Sequence, residues 1–424
     1  MAVIELSLIV VMGIVAGGFM ALALVAPLRV QNLFGIGSLF GLVGGILAVL
    51  SGSVLYRLGY TSEAHWLFPT VLNNLFDLIL AGFIGYAVTT FFVLAYQVQP
   101  DVEPPNVAQA QAAQAGPKRT AVLYFVPGEA AEYDVRVVAR SFDTPEYPQA
   151  VPPTLLRPLY ALDLKRKYAA LGSSPYRSLH FKLAHKVQDR LGKRFKVSIA
   201  FYDDAPLLAD AAAEALRDGT QRIIVLHARL TNPPPPVRPA AGLESLRLAR
   251  YGVRLTETAP LWNSDLLPRL FVRRALAATA ELDRAKVGLL LIGQGHPQPR
   301  RSPAGGAESG VFQRQNQELA FQKRVRQALI RAGFPDDHVV VGWLRWQHPT
   351  LEAAYAQLVT EGCSPIFWIG TGLVTDGLCT LYDIPHRLAA PVAAGGVPVT
   401  ALGPWNDDDL VAEALAERVK AAAE

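Results

Sequence analysis

Three apolar runs in the first hundred residues constrain this chain more than any other feature. Val3–Val25 is apolar apart from Glu5 and Ser7, and Leu33–Tyr56 and Leu67–Val98 are similar. Each exceeds the roughly 20 residues that carry a helix across a bilayer. Residues 1–98 are therefore expected to hold three transmembrane helices. A cleaved signal peptide would have a basic start and no further spans; the first run lacks the one and is followed by the other. Arg29 follows the first run, Arg57 the second, and the basic-rich body the third. Counting these charges places the N-terminus outside and the large remainder on the cytoplasmic side of the inner membrane, with Arg57 opposing.

Within the runs, Gly37, Gly41 and Gly45 put small residues on one helix face, where another helix can approach closely. Asn73, Asn74 and Asp77 lie inside the third run. An ionisable group there is costly and calls for a partner or a hydrated cavity. Together these residues are candidate contacts with a membrane-protein complex. Residues 99–117 are rich in Pro, Ala and Gln and lack apolar periodicity, which predicts a flexible linker.

The formal charge of +4 is scattered, with no basic element or recognition motif, so no nucleic-acid partner is expected. Two cysteines, Cys363 and Cys379, make no disulfide framework. Beyond residue 118, apolar β-branched runs alternate with helical patterns. Candidate strands are Ala121–Val126, Lys196–Tyr202, Arg222–His227, Arg254–Thr258, Val287–Ile292, His338–Leu344, Pro365–Gly370 and Val397–Leu402. Candidate helices between them are Ser178–Leu191, Pro206–Asp218, Leu266–Ala280, Asn316–Ala332 and Thr350–Thr360. This alternation predicts an α/β fold of two Rossmann-like, doubly wound parallel-sheet halves, 118–280 and 281–424, with a ligand crevice at the carboxyl ends of the strands. No dinucleotide or P-loop fingerprint follows a strand, and no Cys/His cluster has zinc spacing.

The stretch Pro365–Ile384, PIFWIGTGLVTDGLCTLYDI, with GPWNDDDLVAEAL at Gly403–Leu415, resembles the end of the ferrochelatase family, the enzymes that insert iron into porphyrin. Gly372, Asp376, Leu378, Thr380, Leu381, Tyr382, Asp383 and Ile384 match; Gly377 stands where the family has His, and Cys379 where it has Glu. Tyr168–Leu191 resembles the family's G-G-x-S-P helix start through Gly172, Ser174 and Pro175, and Trp262 with Pro268 fits its W-x-x-x-P helix. Val287–Pro297 falls where the family has a hydrophobic run, S-A-H and L-P. The resemblance spans about 300 residues and implies a chelatase fold with porphyrin or haem and Fe²⁺ as ligands.

The resemblance also names a site. Aligned on Pro297, the family His position is Gln294, which accepts no proton; His296, two residues on, is the candidate replacement. Cys379 is a candidate metal ligand with His296, or an inert thiol. Asp376 is a candidate catalytic carboxylate or helix N-cap. His227 and Arg229 end the third candidate strand, and Arg229 suits a propionate or a solvated loop. Trp262, Gly372 and Tyr382 complete the candidate tetrapyrrole contacts. Arg300–Glu308 is a loop insertion beside the site. Three functions follow as expectations: a membrane-anchored metal chelatase, a non-catalytic haem or tetrapyrrole binder, and a structural subunit of a membrane complex.

Overall fold

The computed structural model describes residues 2–57, 67–95, 104–114, 120–143, 151–233, 243–297 and 308–424. The insertion at Arg300–Glu308 falls outside them except for its last residue. The chain divides into two compact units. One draws on Met1–Gln99, Tyr133–Asp143 and Ala150–Ala169, the other on Pro100–Glu132, Thr144–Gln149 and Ala170–Glu424. The expected half 118–280 is thus not one contiguous body, because two of its segments belong with the apolar helices.

The first unit is built on helices α1 (Ala2–Val25), α2 (Leu28–Arg57) and α3 (Leu67–Thr90), the last continuing as a π-turn, Phe91–Ala95. All three hold apolar stretches long enough to cross a membrane: Leu6–Val25, Leu28–Leu50 and Val71–Leu94. Helices α1 and α3 pack backbone to backbone, since a side chain at Gly17 would overlap the Gly82 carbonyl. The α2 glycines are used inside the bundle. Gly41 meets the Ala16 backbone, Gly45 the Leu78 side chain and Gly37 the Phe19 ring, while Ser38 Oγ donates to the Ala16 carbonyl at 2.9 Å. The expected glycine face is therefore an intrachain contact.

A short helix, α4 (Val107–Ala113), precedes strand β1 (Thr120–Val126). Within the segment 99–117, expected as a flexible linker, the described residues 104–114 thus hold one short helix. Asn106 Oδ1 caps it by accepting from Ala108 N–H, 2.9 Å, and Ala110 is buried beside Leu208 and Ala211. Alanine favours a helix, and its small size lets the segment lie flat without an apolar stripe. Helices α5 (Val135–Asp143) and α6 (Arg157–Leu171) follow. Val138, Ala139, Phe142 and Ala161 share one apolar cluster with Val25 and Leu94. Tyr133 Oη donates to the Val25 carbonyl at 2.7 Å.

The second unit continues with α7 (Tyr176–Leu191), β2 (Phe195–Phe201), α8 (Leu208–Arg217), β3 (Arg222–His227), β4 (Arg254–Glu257) and α9 (Leu266–Ala278). Then come β5 (Gly288–Gly293), α10 (Glu308–Arg331), β6 (Val339–Trp343), α11 (Leu351–Thr360), β7 (Ile366–Ile369), α12 (Ile384–Gly395), β8 (Val399–Gly403) and α13 (Asp409–Ala423). The strands form two four-stranded sheets, ordered β2-β1-β3-β4 and β6-β5-β7-β8, and every pairing is parallel. In each sheet the order reverses between the first and third strands. Loops diverge there at the carboxyl ends and leave a crevice. One core runs through both halves, from Tyr124 and Val126 through Leu183, Phe271 and Phe321 to Leu291, Trp405 and Leu415.

A polar chain ties the halves together. Buried His180 on α7 takes Tyr124 Oη at Nδ1, 2.9 Å, and Thr375 Oγ1 at Nε2, 3.1 Å. Burial pushes its pKa down to about 3, so the folded protein holds a neutral imidazole. The unfolded chain protonates near the ordinary value of about 6.5. Stability from this group is therefore complete above about pH 6.5 and is lost as pH falls toward 3, on the order of 5 kcal/mol in all. His180→Gln is expected to flatten the fall in unfolding free energy over that window, measured by denaturant titration of the full chain in detergent.

Lys165 on α6 is buried, 1 % exposed, and Nζ donates to the carbonyls of Ala23 and Ala26 at 3.0 and 3.1 Å. It thereby occupies acceptors at the C-terminal end of α1, where a helix leaves them open and favours a cation. Burial lowers its pKa. Lys165→Met should cost about 1–3 kcal/mol through the carbonyls left without a donor, visible as a lower melting temperature in detergent.

Candidate functional site

The crevice at the carboxyl ends of β1, β3, β5 and β7 encloses a cavity of about 250 Å³. Four strand-end loops build it: 127–129, 228–231, 294–296 and 372–375, with Gly377, Cys379 and Thr380 beyond the last. Helices α7 and α10 add Tyr176 and Glu318. Such loops are placed by strands that cannot move independently, so the site inherits the rigidity of both sheets.

Glu318 is the most constrained group. It is 1 % exposed, yet it is an acidic side chain on the buried face of α10. Its Oε1 accepts from Gln294 N–H at 2.7 Å and its Oε2 from Gly295 N–H at 3.1 Å. Two successive amides converging on one carboxylate form an anion nest, which Gly295 makes possible by its left-handed φ of 79°. Oε2 also lies 3.2 Å from His296 Nε2, and His296 is 2 % exposed.

A second carboxylate comes from the other half. Glu129, after β1, accepts from Leu378 N–H at 2.9 Å and from the Ser174 hydroxyl. A Cβ on Gly377 would fall 2.6 Å from Glu129 Oε1, so the absence of a side chain at 377 is what admits this carboxylate. Burial, and next the charge of Glu129, raise the Tyr176 pKa well above 10, which keeps it a phenol. The Arg229 guanidinium lies over the Tyr202 ring, 4.8 Å from its centroid. Among the described residues no three His, Cys, Asp or Glu side chains converge as a metal-holding group.

Of the residues singled out in the sequence, His296, Gln294, Cys379, Gly372 and Arg229 line this cavity. Four do not. Asp376 neither caps a helix nor enters the cleft: its N–H donates to Asn406 Oδ1 at 2.8 Å and Asn406 Nδ2 returns to Asp376 Oδ2 at 2.7 Å. His227 turns to Glu257, Nε2 to Oε2 3.0 Å, because alternate strand residues face opposite sides. Trp262 packs on the core and its carbonyl accepts from Arg324 at 3.1 Å. Tyr382 stacks on His386, 5.6 Å between centroids. Trp343 and Trp368 are core residues.

Glu129, Tyr176 and Glu318 were missed. Glu318 had a visible signal. Arg314, Gln317, Glu318, Phe321, Gln322, Val325 and Leu329 recur at helical spacing on one buried face of α10. Polar residues at core positions of an amphipathic helix mark a site rather than a packing surface. Glu129 had none, since its partners are remote in sequence.

The sequence model of the CbiX family matches residues 313–422. A ferrochelatase of Geotalea daltonii (strain DSM 22248 / JCM 15807 / FRC-32) is 26% identical over 292 residues, covering 63% of this chain and 86% of the relative. A ferrochelatase of Geotalea uraniireducens (strain Rf4) is 24% identical over 268 residues, covering 58% and 79%. Among solved structures, SirB from Bacillus subtilis with Fe³⁺ aligns over 72% of this chain and 96% of its own, at 13% identity and a TM-score of 0.46. CbiX, described as the terminal enzyme of sirohaem biosynthesis in denitrifying bacteria, aligns over 72% and 99%, at 14% identity and a TM-score of 0.38. By these relatives and this family model, the chain is similar to ferrochelatases along much of its length and to the CbiX family over residues 313–422.

Proposed function

We propose that this protein is a membrane-anchored tetrapyrrole chelatase, with α1–α3 crossing the inner membrane and the α/β unit on its cytoplasmic side. The carrying observation is the buried His296–Glu318 pair in the inter-sheet cleft. Inserting a divalent metal into a free-base tetrapyrrole releases two pyrrole protons. His296 accepts one at Nδ1, the ring nitrogen not facing Glu318, and Glu318, held by two backbone amides, stabilises the imidazolium that forms. Glu129, from the opposite half, accepts the other. Cys379, half-buried on the cavity wall, offers a soft ligand to the incoming metal. Arg229 pairs with a carboxylate of the macrocycle.

The cavity of about 250 Å³ falls just below the roughly 300–1,000 Å³ of ordinary ligand pockets. A macrocycle therefore enters with one edge in solvent. One observation favours a second reading, a binder without chelatase activity: Gln294 and Cys379 occupy the positions where the resembled family has His and Glu.

Anaerobic incubation of the detergent-solubilised chain with protoporphyrin or sirohydrochlorin and Fe²⁺, Co²⁺ or Zn²⁺, followed by absorbance, tests both readings. Metallation should exceed the protein-free rate and fall about 10²–10⁴-fold in His296→Ala, the range for one positioned proton acceptor. Glu318→Gln should also slow it. A stable bound-tetrapyrrole spectrum with no metallation would instead establish the binder, and neither signal would remove both.

Gly377→Ala gives an independent check on Glu129. The added methyl should push the Glu129 carboxylate off the Leu378 amide and reduce turnover, while the melting temperature changes little. Unchanged turnover would exclude Glu129 from the chemistry.

A further inference from the structure

The chain touches the first unit again after β1, and the manner of that contact is informative. The turn Thr154–Leu156 leads directly into α6. Tyr86 Oη, on the third apolar helix, donates to the Leu155 carbonyl at 2.9 Å. Tyr86 precedes Leu94, the end of the apolar stretch Val71–Leu94, by roughly 12 Å of helix at about 1.5 Å per residue. Arg157 Nη1, two residues beyond Leu155, reaches back to the Leu94 carbonyl at 3.1 Å. Further along α6, Lys165 meets carbonyls at the end of α1. The Thr154–Leu156 turn thus meets a side chain from inside the apolar stretch, and α6 starts at the edge of that stretch.

The side chains at this level are large, apolar and exposed. Leu155, Leu156, Leu159 and Tyr160 are 38–51 % exposed, and Phe91 and Phe92 stand exposed on α3. The backbone suits an environment without water. Pro152, Pro153 and Pro158 have no N–H to leave unsatisfied. Leu156 N–H donates to the Pro153 carbonyl at 2.8 Å. The Arg157 guanidinium at the margin of the patch folds over the Phe142 ring at 4.9 Å.

We propose that the Thr154–Leu156 turn and the first turn of α6 lie in the headgroup–acyl boundary of the bilayer, a fourth membrane contact beside the three spans. The occupant of this surface is lipid. Interfacial helices bury an apolar face about 5–10 Å into that boundary, and α6, whose first residue meets Leu94, starts at the edge of the apolar stretch. A second protein helix is disfavoured, because helices associate in a bilayer through small or hydrogen-bonding residues and this patch presents leucines and a tyrosine. Continuity with the lipid-facing side of α3 carries the assignment.

The inference rests on the reading of α1–α3 as spans, so the test reports on both. Spin labels are placed by Leu156→Cys, Leu159→Cys, Asp163→Cys, Ile79→Cys and Phe83→Cys in a Cys363→Ala/Cys379→Ala chain reconstituted in vesicles. Oxygen reports lipid exposure and a water-soluble nickel chelate reports water. The oxygen-to-nickel ratio at 156 and 159 is expected to exceed that at 163 several-fold and to stay below that at 79 and 83, which lie near the middle of the apolar stretch. Water-like values at 156 and 159 with lipid-like values at 79 and 83 would overturn the inference alone. Water-like values at all positions would overturn the spans and the inference together. Shielding of 156 and 159 from both reagents would mean that protein covers the patch, and would also overturn it. Leu159→Trp in the otherwise native chain, read by brominated-lipid quenching above the wild-type signal, gives the same decision should the cysteine-free background fail to fold.

Discussion

A fully buried carboxylate is tolerated only when its oxygens are hydrogen-bonded, and Glu318 meets that condition with two backbone amides of the β5 loop. The arrangement of the cleft depends on this. The loop 294–296 cannot relax outward without leaving the carboxylate unsatisfied, so His296 is held 3.2 Å from it. Gly372 is constrained in turn, because a Cβ there would fall 2.6 Å from Glu318 Oε1. The β7 loop therefore packs against the carboxylate from the other side. One acidic side chain on α10 thus fixes two of the four strand-end loops that make the cavity.

The sheet architecture was legible because parallel strands buried on both faces read as continuous apolar runs. Leu289–Ile292 and Ile366–Ile369 are such runs, and both are fully buried. The crevice followed from topology alone. The first unit was less legible: α5 and α6 mix charged with apolar residues, and what attaches them is an apolar cluster with Val25 and Leu94 and contacts with remote carbonyls, such as Lys165 to Ala23. The short helix within 99–117 was illegible for a similar reason. Val107–Ala113 lacks an amphipathic pattern because its buried contact is mainly Ala110.

Site residues divide along the same line. His296, Gln294 and Cys379 lie on strand-end loops whose position a family resemblance can carry. Asp376 lies on one too, but its side chain is taken by Asn406, a residue with positive φ (54°) thirty positions on. Direction of a side chain depends on such distant partners. The same is true of His227, whose strand phase turns it to Glu257 rather than to the cleft.

The exchange at Gly377 explains how a cleft can lose the residues of its resembled family and stay acidic. A histidine at 377 would need the space that the Glu129 carboxylate fills. With glycine there, a carboxylate from the β1 loop reaches the β7 loop and is anchored by the Leu378 amide and the Ser174 hydroxyl. Ser174 is itself fixed, since its N–H donates to the Ala131 carbonyl at 2.8 Å. The substitution at 377 and the presence of Glu129 are thus one steric event. On the proposed reading, proton-accepting capacity has moved between loops of the same crevice, and the gap left by Gln294 and Cys379 is met by His296, Glu318 and Glu129.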